Sequence, residues 1–427
     1  MIATQPVEGV GPLARGRSRI TAKAAAALLE QGLWSVFLFL AVGGASELGG
    51  APERVGWLVA DGFALWAIAT RPRLYATLAV RTAPMLSWGI LACASALWSL
   101  SPEVSIYHGV QLVLTLLVGG VAAVRLGLAG LTRVVFVGLG AATTLSVAAV
   151  LAGEMRPFGS DGAWQGLFDH KNVLGAVAVA WLAAALALTI DRFRPIPAAA
   201  ALLAVLVVVE TRSATSIVAT MAVLGLFVAL AAARAGLRRT ALALAGATVL
   251  AGALALFVVL ARIDLVRLYV DASGKDLTLT GRTILWRFGL EAFGQRPLGG
   301  YGFKGYWESA ATTSAYLHHY LGQRLWHFHN TYVEVAVAFG AIGLVLLAWG
   351  LASAVLRIAR VAARTGSGGF WALALLVHVL SLSLAENPLV QNHSVWQALL
   401  FAAYAAATLA RPARLAPVGA ASGGAPR

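Results

Sequence analysis

Apolar runs close to twenty residues long recur along almost the whole of this chain. A bilayer core about 30 Å thick is crossed by roughly 20 such residues in a helix, so each run reads as one span. Cutting the chain at charges and helix breakers gives about twelve spans, near residues 27–46, 55–70, 84–100, 105–124, 133–152, 172–190, 196–210, 214–233, 239–261, 330–353, 369–386 and 393–410. Apolar residues make up 59% of the chain and charged residues 12%, against roughly 25% charged in a soluble domain. The expected fold is an all-α, polytopic integral membrane protein.

The formal charge of +14 would suggest nucleic acid in a soluble protein. Here the basic residues fall in short connections between spans, which points to topology and anionic lipid headgroups, with no nucleic-acid partner. With the N-terminus inside, the inner connections hold Arg71/Arg73/Arg81, Arg125/Arg133, Arg192/Arg194, Arg234/Arg238/Arg239 and Arg357/Arg360/Arg364. The outer ones hold Glu47/Glu53/Arg54, Glu103, residues 153–171, Thr211-Arg212-Ser213, residues 262–329 and Glu386-Asn387. The expected organisation is a cytoplasmic tail (1–23), nine spans (24–261), an outer loop (262–329), three spans (330–410) and a disordered cytoplasmic tail (411–427). Cys93 lies alone in an apolar run, which leaves no disulfide framework and no cysteine metal site. No internal repeat is visible, which weakens a transporter reading.

A polar insertion as long as 262–329 is usually functional. Within it Thr280–Phe293 interleaves Trp, Phe and Leu with Arg, as in a short amphipathic helix at an interface. Arg296-Pro297-Leu298-Gly299-Gly300-Tyr301-Gly302 then makes a turn, and Ser314–Trp326 can form a second helix.

Seven of the 8 histidines map to the outer side: His108, His170, His318, His319, His327, His329 and His393. Imidazole exchanges protons near neutral pH, although a hydrogen-bonded interfacial histidine is the ordinary reading of any single one. His327 and His329, two apart and splayed if helical, make poor common metal ligands, and no HExxH occurs. His329 opens a long span and is followed by Asn330, with Glu334 on the helix face of Asn330. Outer-side Arg156, Lys171, Arg212, Arg282, Arg287 and Lys304 run against the usual charge bias, and arginine's planar fork suits phosphate oxygens. Headgroup contact accounts for Arg287 and Lys304. Arg212, in a tight turn between spans, needs a partner. Acids are sparse on that side, with no paired-carboxylate motif for a divalent ion. Asp61 and Glu334 read as acids pairing neighbouring helices, and Gly340 and Gly343 as close-packing positions.

His329-Asn330, nine residues, Gly340, two residues, Gly343 resembles the signature of the O-antigen ligases. Gly281-Arg282-Thr283-x-x-Trp286 with Pro297-Leu298-x-Gly300-x-Gly302 is similar to the pattern of the wider superfamily of ligases, O-antigen polymerases and O-oligosaccharyltransferases. So are Asp169-His170-Lys171-Asn172 and Thr211-Arg212-Ser213. The histidine-rich approach through His318, His319 and His327 departs from the pattern. The resemblance implies a GT-C-like, metal-independent glycosyltransferase of the Gram-negative inner membrane with a helical periplasmic loop and no cofactor. Its donor would be undecaprenyl-diphosphate-linked O-antigen and its acceptor lipid A–core. It would make His329 the base, with Arg212, Arg282 and Lys171 on the donor diphosphate; Asn330, His170, Asp169, Arg156, Tyr301 and Glu386 are secondary candidates. The alternatives are a polymerase or protein O-oligosaccharyltransferase with the same donor, or a lipid-linked sugar flippase. A flippase would place its charges nearer mid-membrane.

Overall fold

The computed structural model describes residues 21–43, 50–153, 162–237, 278–320, 324–364 and 366–410. The expected span 239–261, Arg156 and most of both tails lie outside them. Among the described residues every regular element is a helix: α1 (Ala22–Ala41), α2 (Ala51–Thr70), α3 (Pro72–Arg81), α4 (Ala83–Ala94), α5 (Pro102–Leu151), α6 (Lys171–Thr189), α7 (Pro195–Glu210), α8 (Ala214–Arg234), α9 (Thr278–Gln295), α10 (Gly305–Glu308), α11 (Ser314–Tyr320), α12 (Thr331–Ala362), α13 (Ser367–Ser383) and α14 (Val395–Leu409).

The chain is a multi-pass membrane protein. Helices α1, α5, α6, α8 and α12 are long and apolar enough to cross a bilayer, and the bent pair of α3 with α4 (through Leu97), meeting at 95°, makes a sixth candidate. Helices α7, α13 and α14 are apolar but shorter, and α2 carries Glu53, Arg54 and Asp61. Among the described residues the expected count of about twelve is therefore not confirmed helix for helix. Two of those spans follow one another within α5 as two helices that meet at Gly127, where φ 57 and ψ −179 leave the helix. Both ends of α5 return to the same side, Ser105 bonding the Phe303 carbonyl and Ser146 accepting from Leu167 N–H. The short α3 falls where a plain connection was expected. Pro72 and Pro84 start α3 and α4, where a missing N–H costs nothing, and Tyr75 and Leu78 bury one face of α3.

Helix α6 is the centre of the bundle. Every side chain from Leu174 to Ala187 is buried, as an Ala-, Val- and Leu-rich helix without a polar face requires. Gly175 lets it approach the α7–α8 turn, where a Cβ would lie 2.3 Å from Ser216 Oγ. Large apolar side chains such as Leu58, Val59 and Trp66 of α2 and Leu202 of α7 stand exposed on the outside, the surface a lipid phase covers.

Helix α12 carries the main departure from expectation. Gly340 does not serve close helix packing; it is a break inside α12, with φ 65 and ψ −155. That conformation is essentially open to glycine alone. The segment Pro297–Gly302 docks into the break. Tyr301 and Gly302 N–H donate to Val337 and Ala338 carbonyls at 2.9 Å, while Ala341 N–H donates to Pro297 O at 2.8 Å. Broken helix and inserted loop satisfy each other's backbone, the condition for irregular structure within a bundle. The long insertion thus threads into the bundle as well as covering it. Its Thr278–Gln295 helix includes the expected 280–293, and the second helix is shorter than expected, Ser314–Tyr320.

Candidate active site

His329 and Asn330 form the entry to α12. Asn330 is its N-cap: Oδ1 accepts from Tyr332 and Val333 N–H at 2.9 and 3.0 Å, and Nδ2 donates to Leu384 O. This satisfies two of the orphan amides of the helix start and ties it to the α13–α14 connection. Thr331 adds a second tie, its hydroxyl reaching Glu386 O and Asn387 Oδ1. Buried Glu334 turns back from the first turn, accepting from Phe328 N–H at 2.9 Å and from the Trp307 indole. His329, held between these anchors, adopts a left-handed backbone with φ 49. A histidine pays for that conformation, so the surrounding bonds fix it.

Helix α9 brings Arg282. Trp286, one turn later, donates to Phe328 O at 3.0 Å, and Gly289 allows Val333 and Phe328 to pack close. Arg282 then donates to Glu386 Oε1 at 2.6 Å, while Glu386 Oε2 lies 2.9 Å from His329 Nδ1. Asn172, in the first turn of α6, donates to the same Oε1 at 3.3 Å. His170 caps α6, Nδ1 accepting from Asn172 N–H, and Lys171 is the first helical residue. The positive ends of α6 and α12 therefore both open onto Glu386 and Arg282, an arrangement that favours anions.

The electrostatics follow from this packing. Burial pushes the Glu386 carboxyl up, but the His329 hydrogen bond and the Arg282 charge outweigh it and hold the group at about 2. An ionised carboxylate only accepts, so it is His329 Nδ1–H that donates to Glu386. Burial, then the neighbouring His329, pushes His327 down to about 3. It is neutral, and its Nδ1 accepts from His329 N–H at 3.1 Å.

The two histidines are not splayed on a helix as expected. They precede α12 with ring centroids 4.2 Å apart, and single ligand atoms of His327, His329 and Glu386 lie within 4.8 Å of one another. Those atoms could surround a cation. However, Arg282 and His329 already engage both oxygens of Glu386, and an ion would have to displace a guanidinium.

Of the candidates read from sequence, His329, Asn330, Arg282, His170, Lys171 and Glu386 are gathered here. Arg212 lies in the α7–α8 turn with φ 50, and neighbouring Thr211 abuts Gly175 of α6. Asp169 is exposed beside the α6 cap. Tyr301 lies in the aromatic cluster under the loop with Tyr306 and Phe328, its hydroxyl on Gln295 Oε1 at 2.9 Å. His318 bonds Leu325 O, and His108 bonds Gln111. Sequence reasoning placed Glu386 only among the secondary candidates and missed Asn172 as its partner. A lone acid and amide on the outer side, in a chain so poor in acids there, was the available signal.

Residues 199–348 match the family described as O-antigen ligase, a stretch that holds Arg212, Arg282, His329 and Gly340 but neither His170 nor Glu386. Over 284 residues the chain is 33% identical to the exopolysaccharide production protein ExoQ of Rhizobium meliloti (strain 1021). That alignment spans 63% of this chain and 63% of the length of that relative.

Proposed function

We propose that this chain, which belongs to the O-antigen ligase and polymerase superfamily, moves a glycan from undecaprenyl diphosphate to an acceptor hydroxyl. The observation that carries this reading is the Arg282–Glu386–His329 relay, with one carboxylate holding both a phosphate-type cation and an imidazole.

His329 Nε2 takes the proton of the acceptor hydroxyl as its oxygen attacks the anomeric carbon, and Glu386 stabilises the resulting imidazolium. The bond from that carbon to the diphosphate oxygen breaks, and its electron pair leaves with the diphosphate. Arg282 spends one of its N–H donors on Glu386, and its others face the leaving charge. Arg212, Lys171 and the start of α6 supply further positive charge. Attack opposite the leaving group inverts the anomeric centre, and no metal is required. The reaction is set at the periplasmic face of the Gram-negative inner membrane, with both chain ends cytoplasmic and both lipid tails entering laterally from the bilayer.

The O-antigen ligase match and the His-Asn-x9-Gly-x-x-Gly spacing support lipid A–core as acceptor. The similarity to an exopolysaccharide production protein supports a second reading, in which the acceptor is another lipid-linked glycan and the product a longer polymer. The test is purified protein in lipid with undecaprenyl-diphosphate-linked glycan, offered lipid A–core or a second lipid-linked glycan. Glycosylated lipid A–core supports the ligase, and lengthened lipid-linked glycan supports the polymerase. Translocation of intact donor without bond cleavage contradicts both.

A further inference from the structure

A second acid–histidine contact lies inside the bundle, on the same connection that carries Glu386. Asp61, midway along α2 and 7% exposed, receives His393 Nε2 at 3.1 Å on Oδ2. The His393 ring stacks on Trp57 with centroids 4.8 Å apart, its backbone is left-handed with φ 53, and its N–H donates to Thr115 Oγ1 at 2.8 Å. Thr115 is well down α5, about 20 Å along the helix from Pro102 at 1.5 Å per residue. The connection 384–394 therefore descends from the His329 level deep into the bundle. This explains why α14, which follows, has only 15 residues.

The connection has no regular structure, yet Leu389 and Val390 are fully buried and its polar atoms are tied internally, Asn387 to Val390 and Ser394 to Pro388. Its upper end is fixed by Glu386 on Arg282 and His329. Its lower end is fixed by His393 on Asp61 and Thr115. Asp61 Oδ1 is buried without a hydrogen-bond partner. A carboxylate kept at that depth, half satisfied, is costly and calls for a role.

We propose that Asp61 is a positioning residue for the reaction: through His393 it anchors the buried connection that presents Glu386 to His329 and Arg282. The inference rests on the transferase reading only for its kinetic arm. Freed of this anchor, the connection can shift, Glu386 loosens its hold on Nδ1, and the His329 ring becomes accessible to reagent more of the time.

The full chain in lipid nanodiscs is treated with diethyl pyrocarbonate, and acylation of His329 is followed by mass spectrometry beside transferase kinetics. Asp61→Leu, which removes the acceptor, should raise the labelling rate of His329 roughly threefold to tenfold and lower kcat by a similar factor with KM unchanged. Asp61→Asn keeps a carbonyl for His393 Nε2–H and should restore both. Adding Asp61→Leu to Glu386→Gln should change neither readout further, since both act through Glu386. If Asp61→Leu does not fold, His393→Gln, which keeps a donor near Nε2, is compared with His393→Leu, and only the leucine variant should raise labelling. Unchanged His329 labelling in the folded leucine variants, or additivity with Glu386→Gln, overturns the proposal. A chain without transferase activity would contradict the transferase reading, while the labelling arm still decides the coupling.

Discussion

Glu386 and His329, 57 positions apart in sequence, meet at 2.9 Å between Oε2 and Nδ1, and the same carboxylate holds Arg282 through its other oxygen. One acid therefore fixes the tautomer of the proposed base and the position of the nearest cation. Glu386→Gln keeps the shape but can present its amide to Nδ1, which would move the imidazole proton to Nε2. We expect kcat to fall by about two orders of magnitude with little change in donor binding, measured by steady-state transfer and equilibrium binding. Equal activity would detach Glu386 from the chemistry.

Arg282 donates to a carboxylate and, in the proposed reaction, also meets the donor diphosphate, a task for a planar fork. Arg282→Lys supplies one point charge and cannot reproduce both contacts. The expected outcome is at least a tenfold weaker donor interaction, with the loss shared between KM and kcat. Arg287→Lys, an exposed helix pair with Glu291, should be neutral in the same assay.

Acid should destabilise the folded chain in two steps. His327 titrates from 6.5 down to about 3 and Glu386 from 4.5 down to about 2 on folding. Both depressions mean that the unfolded chain binds more protons, so their stabilisation is full above 6.5 and 4.5 respectively and is lost as pH falls through each window. Thermal melts in detergent between pH 7 and 3 should fall throughout. The drop between 6.5 and 4.5 should shrink in His327→Gln, while Glu386→Gln should flatten only the more acidic part. A melting temperature independent of pH across both windows contradicts this electrostatic picture.

Gly340 breaks α12 to admit the inserted loop, and a Cβ there would lie 2.3 Å from Leu298 O. Gly340→Ala should cost about 3 kcal/mol and lower the melting temperature by several degrees. Gly294, in α9 with nothing within 4 Å of an added Cβ, is the control, and Gly294→Ala should be neutral or slightly stabilising.

The membrane class was legible because apolar run length reports the bilayer directly. The gathering of His329, Arg282 and Lys171 also followed from sequence, since all belong to connections assigned to one side. That the two spans of α5 meet directly at Gly127, without a loop between them, was hidden because Gly127, between Leu126 and Leu128, is a single glycine among apolar residues. The break at Gly340 was hidden for a related reason: a glycine in an apolar helix reads equally as a packing contact or a left-handed break, and only the docked Pro297–Gly302 segment decides. Glu386 and Asp61 were visible as isolated acids. Their partners came from connections far away in the chain, and no periodicity links such residues.

The most direct test is transfer by His329→Ala in lipid, with donor binding measured on the same preparation. The account predicts unchanged binding of undecaprenyl-diphosphate-linked glycan, transfer reduced by roughly two to four orders of magnitude, and wild-type transfer insensitive to EDTA. Wild-type turnover by His329→Ala would contradict the assignment of His329 as the base, and with it the reading of the Arg282–Glu386–His329 relay.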